Sequence, residues 1–401
     1  MHNYSFPCWT LFIALIILIG ASCKKAEEPY LNYNRITDNI GILPRFDTRH
    51  QLLQLESHDY LLCGSTVDSI VFVARLDVNG NPINLNTSIG RGSAHDIISI
   101  PYLENRFLLL ATHREENNIQ SGFFTVVTDS SGASVAPPVY YGQEFDAIGL
   151  REYAEAYAVV PTRDSGFFFT GGFKQTLSSQ PSLFGLMVDA ELKVKWLKTY
   201  RANAYGASAF QMEDGPIIVS AITDPYAYLI AIDENNGRKL AERTFFQTSS
   251  QQNDEAILSS DGTIALATTS MAENTASINF IECTYDRASS SFEVLHDLSL
   301  GDKNANEYGH QIIQGRDGGF VILGTDDQEP ASLVLQYISV SRSQGWRERY
   351  QGGTIEQPGD IVQSLLDFGY FCFGISEDQD GKSSFHFIKT DEVGRTEESL
   401  E

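Results

Sequence analysis

Residues 316–325 read Arg-Asp-Gly-Gly-Phe-Val-Ile-Leu-Gly-Thr, and this stretch decides the fold. Its second to fourth residues have the composition of a tight turn, and the next four form a short apolar strand. Gly324 then marks a point where another part of the chain must pack closely. Weaker copies of this turn and strand occur at residues 58–64, 164–171 and 368–374. A recurring unit of this kind indicates a repeat architecture.

The small residue after the apolar strand recurs about every 50 residues. A strand exposed to solvent has no need of a small side chain at a fixed position, so the recurrence predicts close contact with a neighbouring backbone or sheet. We call these positions the anchor residues. They are Gly64, Ala111, Gly171, Ser220, Ala267, Gly324 and Gly374.

Two further patterns accompany each anchor residue. An apolar strand precedes it, and a second strand follows it and ends at a turn. Asp opens six of these seven turns, with Gly three or four residues later in several, as at Asp77 and Gly80. The strand after the turn often carries aromatic residues, as at Trp346 and Tyr350. Each repeat therefore contains four strands.

The sequence predicts an all-β fold, a β-propeller of seven four-stranded blades. No segment after the N-terminal leader shows a sustained helical period with caps, so helices should be nearly absent. A pair of β-sandwiches also uses many short strands, but it would not repeat one small residue and one Asp turn in the same order. A ring of six or eight blades is the closer alternative.

The best copy of the repeat spans residues 317–353. It reads Asp-Gly-Gly-Phe-x-x-x-Gly-Thr, and after a strand and a turn it ends in Trp-x-x-x-Tyr-x-Gly-Gly. It resembles the repeat of secreted and lipid-anchored β-propeller proteins from Bacteroidetes bacteria, and it lacks the diagnostic motifs of kelch, NHL and WD repeats. The resemblance covers about residues 46–401. It implies the architecture and leaves the ligand open, since propellers serve as binding platforms, enzymes and structural modules.

The N-terminal sequence predicts where in the cell the protein is located. Residues 8–20 form an apolar run interrupted only by Thr10, which suits a signal peptide and is short for a membrane span. Ala21-Ser22-Cys23 follows and resembles a bacterial lipobox, with Gly20 where Leu is usual. We expect a signal peptide at 1–22, lipidation of Cys23, a polar tether at 23–45 and the propeller at 46–401. An uncleaved signal is the alternative.

The amino-acid composition limits the kinds of molecule that the protein is expected to bind. Lys and Arg number 28 against 52 Asp and Glu, which gives a net charge of -24 and argues against nucleic acid as a partner. Cys63, Cys283 and Cys372 fall on predicted strands without the spacing of metal ligands. We interpret them as buried small apolar residues rather than as a disulfide with one free thiol. We expect a monomer attached to the membrane through its lipid.

Candidate site residues come from the loops that enter the innermost strands, because in propellers these loops surround one mouth of the central channel. Such a set of His, Asp and polar side chains could hold a divalent cation or the hydroxyl groups of a sugar. Calcium at Asp77, Asn79 and Asn81 competes with a hairpin-turn interpretation. The channel-mouth candidates are His50, His95, Asp96, Tyr157, Asn253, Asp254, His310 and Asp360.

No nucleophile elbow, phosphate loop or zinc spacing is present in the sequence, and it predicts no resident cofactor. The leading hypothesis is an outer-membrane lipoprotein, facing the periplasm or the cell surface, that binds or scaffolds a protein or a glycan at the envelope. The alternative is a carbohydrate-active hydrolase or lyase that uses acidic and His side chains at the channel mouth. A purely structural lipoprotein is the third possibility.

Overall fold

The computed structural model describes residues 32–397 except 47, 115–120, 147–152, 175–178, 214, 224–225, 248–254, 273–274 and 302–304. The predictions for Cys23, Asn253 and Asp254 therefore lie outside the described residues. Within the described part of the chain, no helix has the length and apolar character needed to cross a bilayer.

The strands of each blade occupy four positions, from the channel outward. The innermost strands are β2 (Gln51–Gln54), β6 (Ser93–Ser99), β10 (Tyr153–Pro161), β14 (Tyr205–Gln211), β18 (Glu255–Leu258), β22 (Glu307–Gln314) and β26 (Ile355–Gln363). The second strands are β3 (Tyr60–Ser65), β7 (Arg106–Arg114), β11 (Phe167–Lys174), β15 (Ile217–Thr223), β19 (Ile264–Ala272), β23 (Phe320–Asp326) and β27 (Tyr370–Glu377). The third strands are β4 (Ile70–Leu76), β8 (Ser121–Asp129), β12 (Ser182–Val188), β16 (Tyr226–Ile232), β20 (Thr275–Asp286), β24 (Ser332–Ile338) and β28 (Ser383–Lys389). The outer strands are β1 (Tyr33–Thr37), β5 (Pro82–Arg91), β9 (Val139–Tyr141), β13 (Val194–Ala202), β17 (Lys239–Gln247), β21 (Ser291–Ser299) and β25 (Gln344–Gln351).

Blades one to six each pair four consecutive strands in antiparallel order, beginning with β2–β5, and one parallel bridge between Ser121 and Tyr153 links blades two and three. The one described α-helix, α1, is the single turn Gln143–Asp146. The predicted all-β propeller of seven four-stranded blades is confirmed, including the near absence of helix. Its apolar core lies between blades, as where blade seven meets blade one.

The ring closes through the N-terminal strand. Blade seven takes β26, β27 and β28 from the end of the chain and β1 from its beginning, with Arg35 opposite Phe387. The predicted tether at 23–45 is therefore wrong for Tyr33–Thr37, which belongs to the propeller. These residues escaped the repeat pattern because an outer strand carries neither an anchor residue nor an Asp turn.

The Asp residues that end the third strands cap the turns after them, as predicted. In the first blade, Oδ1 of Asp77 accepts hydrogen bonds from the backbone N–H of Asn79 at 2.9 Å and of Asn81 at 2.8 Å. Gly80 has φ +69°, a conformation that glycine adopts without strain. The Asp77 carboxylate is thus engaged in the hairpin turn, which supports that interpretation over a calcium loop.

The aromatic residues of the outer strands pack against the turn glycines of the next blade. A Cβ on Gly237 would lie 2.7 Å from the Trp196 ring, and one on Gly394 would lie 2.5 Å from the Trp346 ring. The Tyr200 hydroxyl also donates to the Gly237 carbonyl at 3.0 Å. The Trp-x-x-x-Tyr pattern therefore joins adjacent blades.

The anchor residues lie opposite β-bulges in the innermost strands. In five blades the register slips at one residue, and the bulge faces the anchor position of the second strand. A Cβ on Gly171 would lie 1.9 Å from the Glu155 carbonyl oxygen, and one on Gly324 would lie 2.3 Å from the Tyr308 carbonyl oxygen. The close backbone contact inferred from the repeat is present. The bulged residues are His95, Tyr157, Ala207, His310 and Gly359.

The three cysteines of the described chain are buried without disulfides. Burial raises the pKa of the Cys283 thiol to about 12. Cys63, Cys283 and Cys372 therefore act as small apolar core residues, as predicted.

Candidate functional site

A cavity of about 580 Å³ opens at the channel mouth, on the face where the innermost strands begin. Three bulged residues, His95, Tyr157 and His310, contribute to its wall from blades two, three and six. The bulges matter because an extra residue redirects side chains relative to the regular strand. We call this space the mouth cavity. It is lined by Arg45, Phe46, Thr48, Arg49, Ser93, His95, Tyr153, Glu155, Tyr157, Tyr205, His310, Thr325, Ile355, Glu356, Gln357 and Pro358.

The alternation of β10 places Tyr153, Glu155 and Tyr157 on one side of the strand. Both tyrosine hydroxyls donate to the Glu155 carboxylate, that of Tyr157 at 2.5 Å. Burial, and then the neighbouring Glu155, raises the pKa of Tyr157 well above its usual value. Tyr157 therefore stays a neutral hydroxyl, and its ring lies 5.7 Å from that of Tyr205.

Arg49 forms the floor of the mouth cavity. Its side chain leaves the segment before β2, and Nη1 donates to the backbone carbonyls of Tyr157 at 3.1 Å and Ala207 at 2.7 Å. The guanidinium carbon lies 5.5 Å from the centroid of the Tyr157 ring. Arg49 also lines a second cavity of about 370 Å³ deeper in the channel. It thus connects blade one to blades three and four across the channel.

The two histidines at the mouth have aromatic or cationic neighbours. The His95 ring packs edge-on against Tyr157, with centroids 5.0 Å apart. Burial lowers the pKa of His310 to about 3, and the Arg49 charge adds to the effect. The His310 imidazole is therefore neutral at neutral pH, so it offers a hydrogen-bonding ring rather than a positive charge.

His50, Asp96 and Asp360 lie outside the mouth cavity. His50 is 2% exposed and packs among Phe72, Phe373 and Phe385, with Nδ1 3.1 Å from the Thr48 carbonyl oxygen. Burial lowers its pKa to about 4, which fits a neutral core histidine. His50 is a predicted mouth residue because it lies in the loop that enters the first innermost strand, but its side chain packs into the core directly before β2 begins at Gln51.

Asp96 and Asp360 are part of a ring of hydrogen bonds between blades. In four blades, the residue that follows the bulge position has a side-chain oxygen that accepts a hydrogen bond from the next blade. The donor is a backbone N–H of that blade's innermost strand, at 2.8–2.9 Å. These contacts hold neighbouring blades in register around the channel. The acceptor and donor pairs are Asp96 with Val159, Ser208 with Ala256, Glu255 with Ile312, and Asp360 with Leu52.

The three carboxyl groups of this ring bind protons more tightly than free ones. Burial raises the pKa of Asp96 to about 6 and that of Asp360 to about 7. Burial together with the Asp360 charge raises the pKa of Glu255 to about 8. The Arg49 charge opposes the shift at Asp96 and Glu255 without cancelling it.

We expect the propeller to lose stability as the pH rises from about 5 to about 8. The folded pKa values of Asp96, Asp360 and Glu255 lie above the unfolded ones, so their contribution is fully present below about pH 4 and is lost through about pH 6–8. Urea unfolding should show a smaller loss over this range in Asp360→Asn, whose amide oxygen still accepts from Leu52. Asp380→Asn, in an exposed loop, is the control. Equal pH dependence in wild type and Asp360→Asn would contradict the assignment.

In the described ranges, no group of three or more His, Cys, Asp or Glu side chains is placed to hold a metal ion. The carboxylates of the mouth cavity accept hydrogen bonds from protein groups. Glu155 accepts from Tyr153 and Tyr157, while Glu356 accepts from the Gly353 N–H at 2.7 Å and lies 3.0 Å from Nδ1 of His386. The chemistry offered at the mouth is therefore hydrogen bonding and aromatic contact.

Sequence reasoning found His95, Tyr157 and His310 but missed Arg49, Tyr205 and the Tyr153–Glu155 pair. A signal for the pair was present, since Tyr-Ala-Glu-Ala-Tyr at 153–157 alternates with the period of a strand and puts its polar residues on one side. Arg49 carried no comparable signal, because it precedes the first repeat and acts on distant blades.

Among the comparisons with known proteins, the one with solved structures finds similar folds. The sequence matches no protein-family model and no curated protein. A periplasmic gluconolactonase of Pseudomonas aeruginosa has a similar structure, with TM-score 0.56 and 11% identity over 84% of this chain and 98% of the other. A protein of unknown function from Bacteroides caccae gives TM-score 0.43 and 12% identity over 68% of this chain and 88% of the other. At 11% identity, the likeness to the gluconolactonase shows a shared fold alone.

Proposed function

We propose that this protein is an envelope lipoprotein whose propeller binds a glycan at the mouth cavity. The observation that carries the proposal is the convergence of three tyrosines, two arginines and two histidines from five blades on one cavity of about 580 Å³. A concave space of this volume suits a small ligand or the end of an oligosaccharide better than a protein surface.

The lining matches sugar chemistry. Sugar hydroxyls both donate and accept hydrogen bonds, and the mouth offers donors in Arg45 and Arg49 and acceptors in Glu155 and Glu356. The Tyr205 ring provides an apolar surface with a polar tip, which suits the C–H face of a sugar ring. The opposite charges at the mouth favour a neutral ligand over a strongly anionic one.

Binding is favoured over catalysis because each carboxylate of the cavity already accepts hydrogen bonds from protein groups, while its remaining lone pairs can still accept from a sugar hydroxyl. Hydrolysis of a glycosidic bond uses one carboxyl as acid and another as base or nucleophile. Glu155 accepts from two tyrosine hydroxyls, and Glu356 accepts from the Gly353 N–H beside His386. Neither has the environment of a free nucleophile.

A hydrolase or lyase remains the second candidate because Glu155 and Glu356 line the same cavity. The Pseudomonas aeruginosa neighbour is named a gluconolactonase, which suggests aldonolactones as test substrates beside oligosaccharides. Product formation that disappears in both Glu155→Gln and Glu356→Gln would favour this candidate over a binding module.

The proposed location at the cell envelope depends on the N-terminal signal sequence and Cys23. A lipid on Cys23 would hold the propeller at the outer membrane as a monomer, and the net charge of -24 keeps such an exposed domain soluble. Membrane attachment through the lipid and a glycan ligand are the two interactions proposed.

We expect Tyr205→Ala to weaken glycan binding about tenfold or more, because removal of a central aromatic contact costs more than about 1.4 kcal/mol. Full-length protein in detergent would be screened on a glycan array, and the strongest ligand titrated by calorimetry. Tyr226→Ala is the matched control, since Tyr226 also lies in blade four but is 42% exposed and outside the mouth cavity. Equal affinity of Tyr205→Ala and wild type would refute the site, and absence of any bound glycan would refute the function.

A further inference from the structure

A third cavity, of about 520 Å³, lies between blades six and seven on the face opposite the mouth cavity. Its wall includes Arg316 and Asp317 from the most regular copy of the repeat, and Trp346 from the outer strand of the same blade. Tyr370 and Glu392 come from blade seven. We call this space the lateral groove. None of the residues that line the mouth cavity lines the lateral groove.

The same framework occurs between blades three and four. Oε1 of Gln211 accepts the Arg163 backbone N–H at 2.8 Å, and Oε1 of Gln363 accepts the Arg316 backbone N–H at the same distance. Trp196 packs on the turn glycine of blade four as Trp346 packs on that of the last blade. The two junctions are therefore equivalent positions of the repeat.

The equivalent junction is closed by its own side chains. The Arg163 guanidinium pairs with Glu234 at 2.9 Å, and the Trp196 indole N–H donates to the Glu234 carbonyl at 3.0 Å. The amide of Gln211 also donates to the Glu234 carboxylate. Donors and acceptors at this junction thus satisfy one another.

The lateral groove lacks this closure. Arg316 lies over the Phe368 ring, with Cζ 4.2 Å from the centroid, instead of pairing with Glu392. Across the described part of the chain, no group accepts a hydrogen bond from the Arg316 guanidinium or the Trp346 indole N–H, and Glu392 has no ion pair. The groups that close the equivalent junction are available to a ligand here.

Aromatic rings form the remaining wall. Tyr337 and Trp346 are stacked, with centroids 5.5 Å apart and an interplanar angle of 8°, and Trp346 lies 5.8 Å from Tyr370. The Tyr337 hydroxyl donates to Asp317, which fixes the ring. The wall therefore combines a rigid aromatic surface with charged groups of both signs at its edge.

We propose that the lateral groove binds a pyranose unit of a neutral glycan. The C–H face of a sugar ring packs against aromatic rings, while its hydroxyls accept from Arg316 and the Trp346 N–H and donate to Glu392. A volume of about 520 Å³ accommodates one or two sugar units. A proline-rich peptide also suits aromatic grooves but brings backbone carbonyl acceptors, which would leave the Glu392 carboxylate without a donor.

Tryptophan emission provides a local test, because the described chain contains only Trp196 and Trp346. In the Trp196→Phe variant of the mature protein, which lacks the signal peptide and therefore Trp9, the emission comes from Trp346 and reports on the lateral groove. The probes are gluco-, galacto- and manno-configured disaccharides and a proline-rich peptide. We expect one or more of the disaccharides to change the emission saturably.

Arg316→Ala and Glu392→Gln should each weaken that binding about tenfold, because each removes a charge-assisted hydrogen bond. Arg163→Ala, at the closed junction, and Tyr205→Ala, at the mouth, should leave it unchanged. This last control separates the lateral groove from the mouth cavity, so either site can fail alone. Emission unchanged by every disaccharide, a response to the peptide alone, or full affinity in both groove variants would overturn the proposal.

Discussion

A chain that begins at Asp38 should unfold at a much lower urea concentration than one that begins at Asn32. The shorter chain lacks β1, which pairs along its full length with β28 and supplies the outer strand of blade seven. It also loses the Tyr33 hydroxyl bond to the Asn79 carbonyl at 2.6 Å and the Arg35 bond to the Gly80 carbonyl at 3.0 Å. These contacts hold blade seven against blade one.

Loss of one partly buried tyrosine and of the hydrogen bonds along β1 should cost about 5 kcal/mol or more, a large part of the stability of a folded domain. The unpaired edge of β28 should also promote association, which sedimentation would detect. The chain from Asn32 is the matched control because it retains all of β1. Equal urea midpoints and equal sedimentation for the two chains would show that β1 does not close the ring.

The blade repeat could be predicted because each copy repeats local chemistry. A small anchor residue is needed opposite every bulge, and an Asp turn ends most third strands, so both recur at a regular spacing. The closure by β1 could not be predicted in this way. Tyr33–Thr37 has no anchor residue and pairs with a strand some 350 residues later, a contact that no local pattern encodes.

The candidate site was predicted in part for the same reason. The prediction selected polar side chains from the loops that enter the innermost strands, and these included His95, Tyr157 and His310, which lie at bulges. A shift of one residue along an innermost strand decides whether a side chain lies at the mouth or forms a hydrogen bond with the next blade. Asp96 and Asp360 sit one position further along and therefore act between blades.

The stretch at 316–325 combines both kinds of role. Its turn is structural, since Oδ1 of Asp317 accepts the Gly319 N–H at 3.0 Å and Gly318 has φ +86°. The Arg316 side chain lies over the Phe368 ring, whereas its counterpart in the equivalent turn, Arg163, is held by an ion pair with Glu234. The repeated turn and strand predict the fold. The sequence alone does not show that Arg163 has an ion pair within the described part of the chain and Arg316 has none there, because that difference depends on residues brought together in space.

Gly171→Ala should be strongly destabilising even though it adds a single methyl group. The new Cβ would lie 1.9 Å from the Glu155 carbonyl oxygen and 2.7 Å from the Ala156 Cα, both in the bulged strand β10. Backbone atoms of a paired strand cannot turn aside as a flexible side chain does, so the blade must separate or the bulge must rearrange. Overpacking of this kind costs about 3 kcal/mol.

Gly142→Ala is the matched control for this prediction. Neither glycine has positive φ, so the two substitutions differ in available space rather than in backbone strain. A Cβ at Gly142 would meet nothing closer than 3.8 Å, and its free energy of unfolding should change by about 0.5 kcal/mol or less. Urea unfolding followed by circular dichroism gives both values. Similar midpoints for the two variants would mean that the anchor residues do not owe their small size to the bulges, and the physical basis assigned to the repeat would then be incorrect.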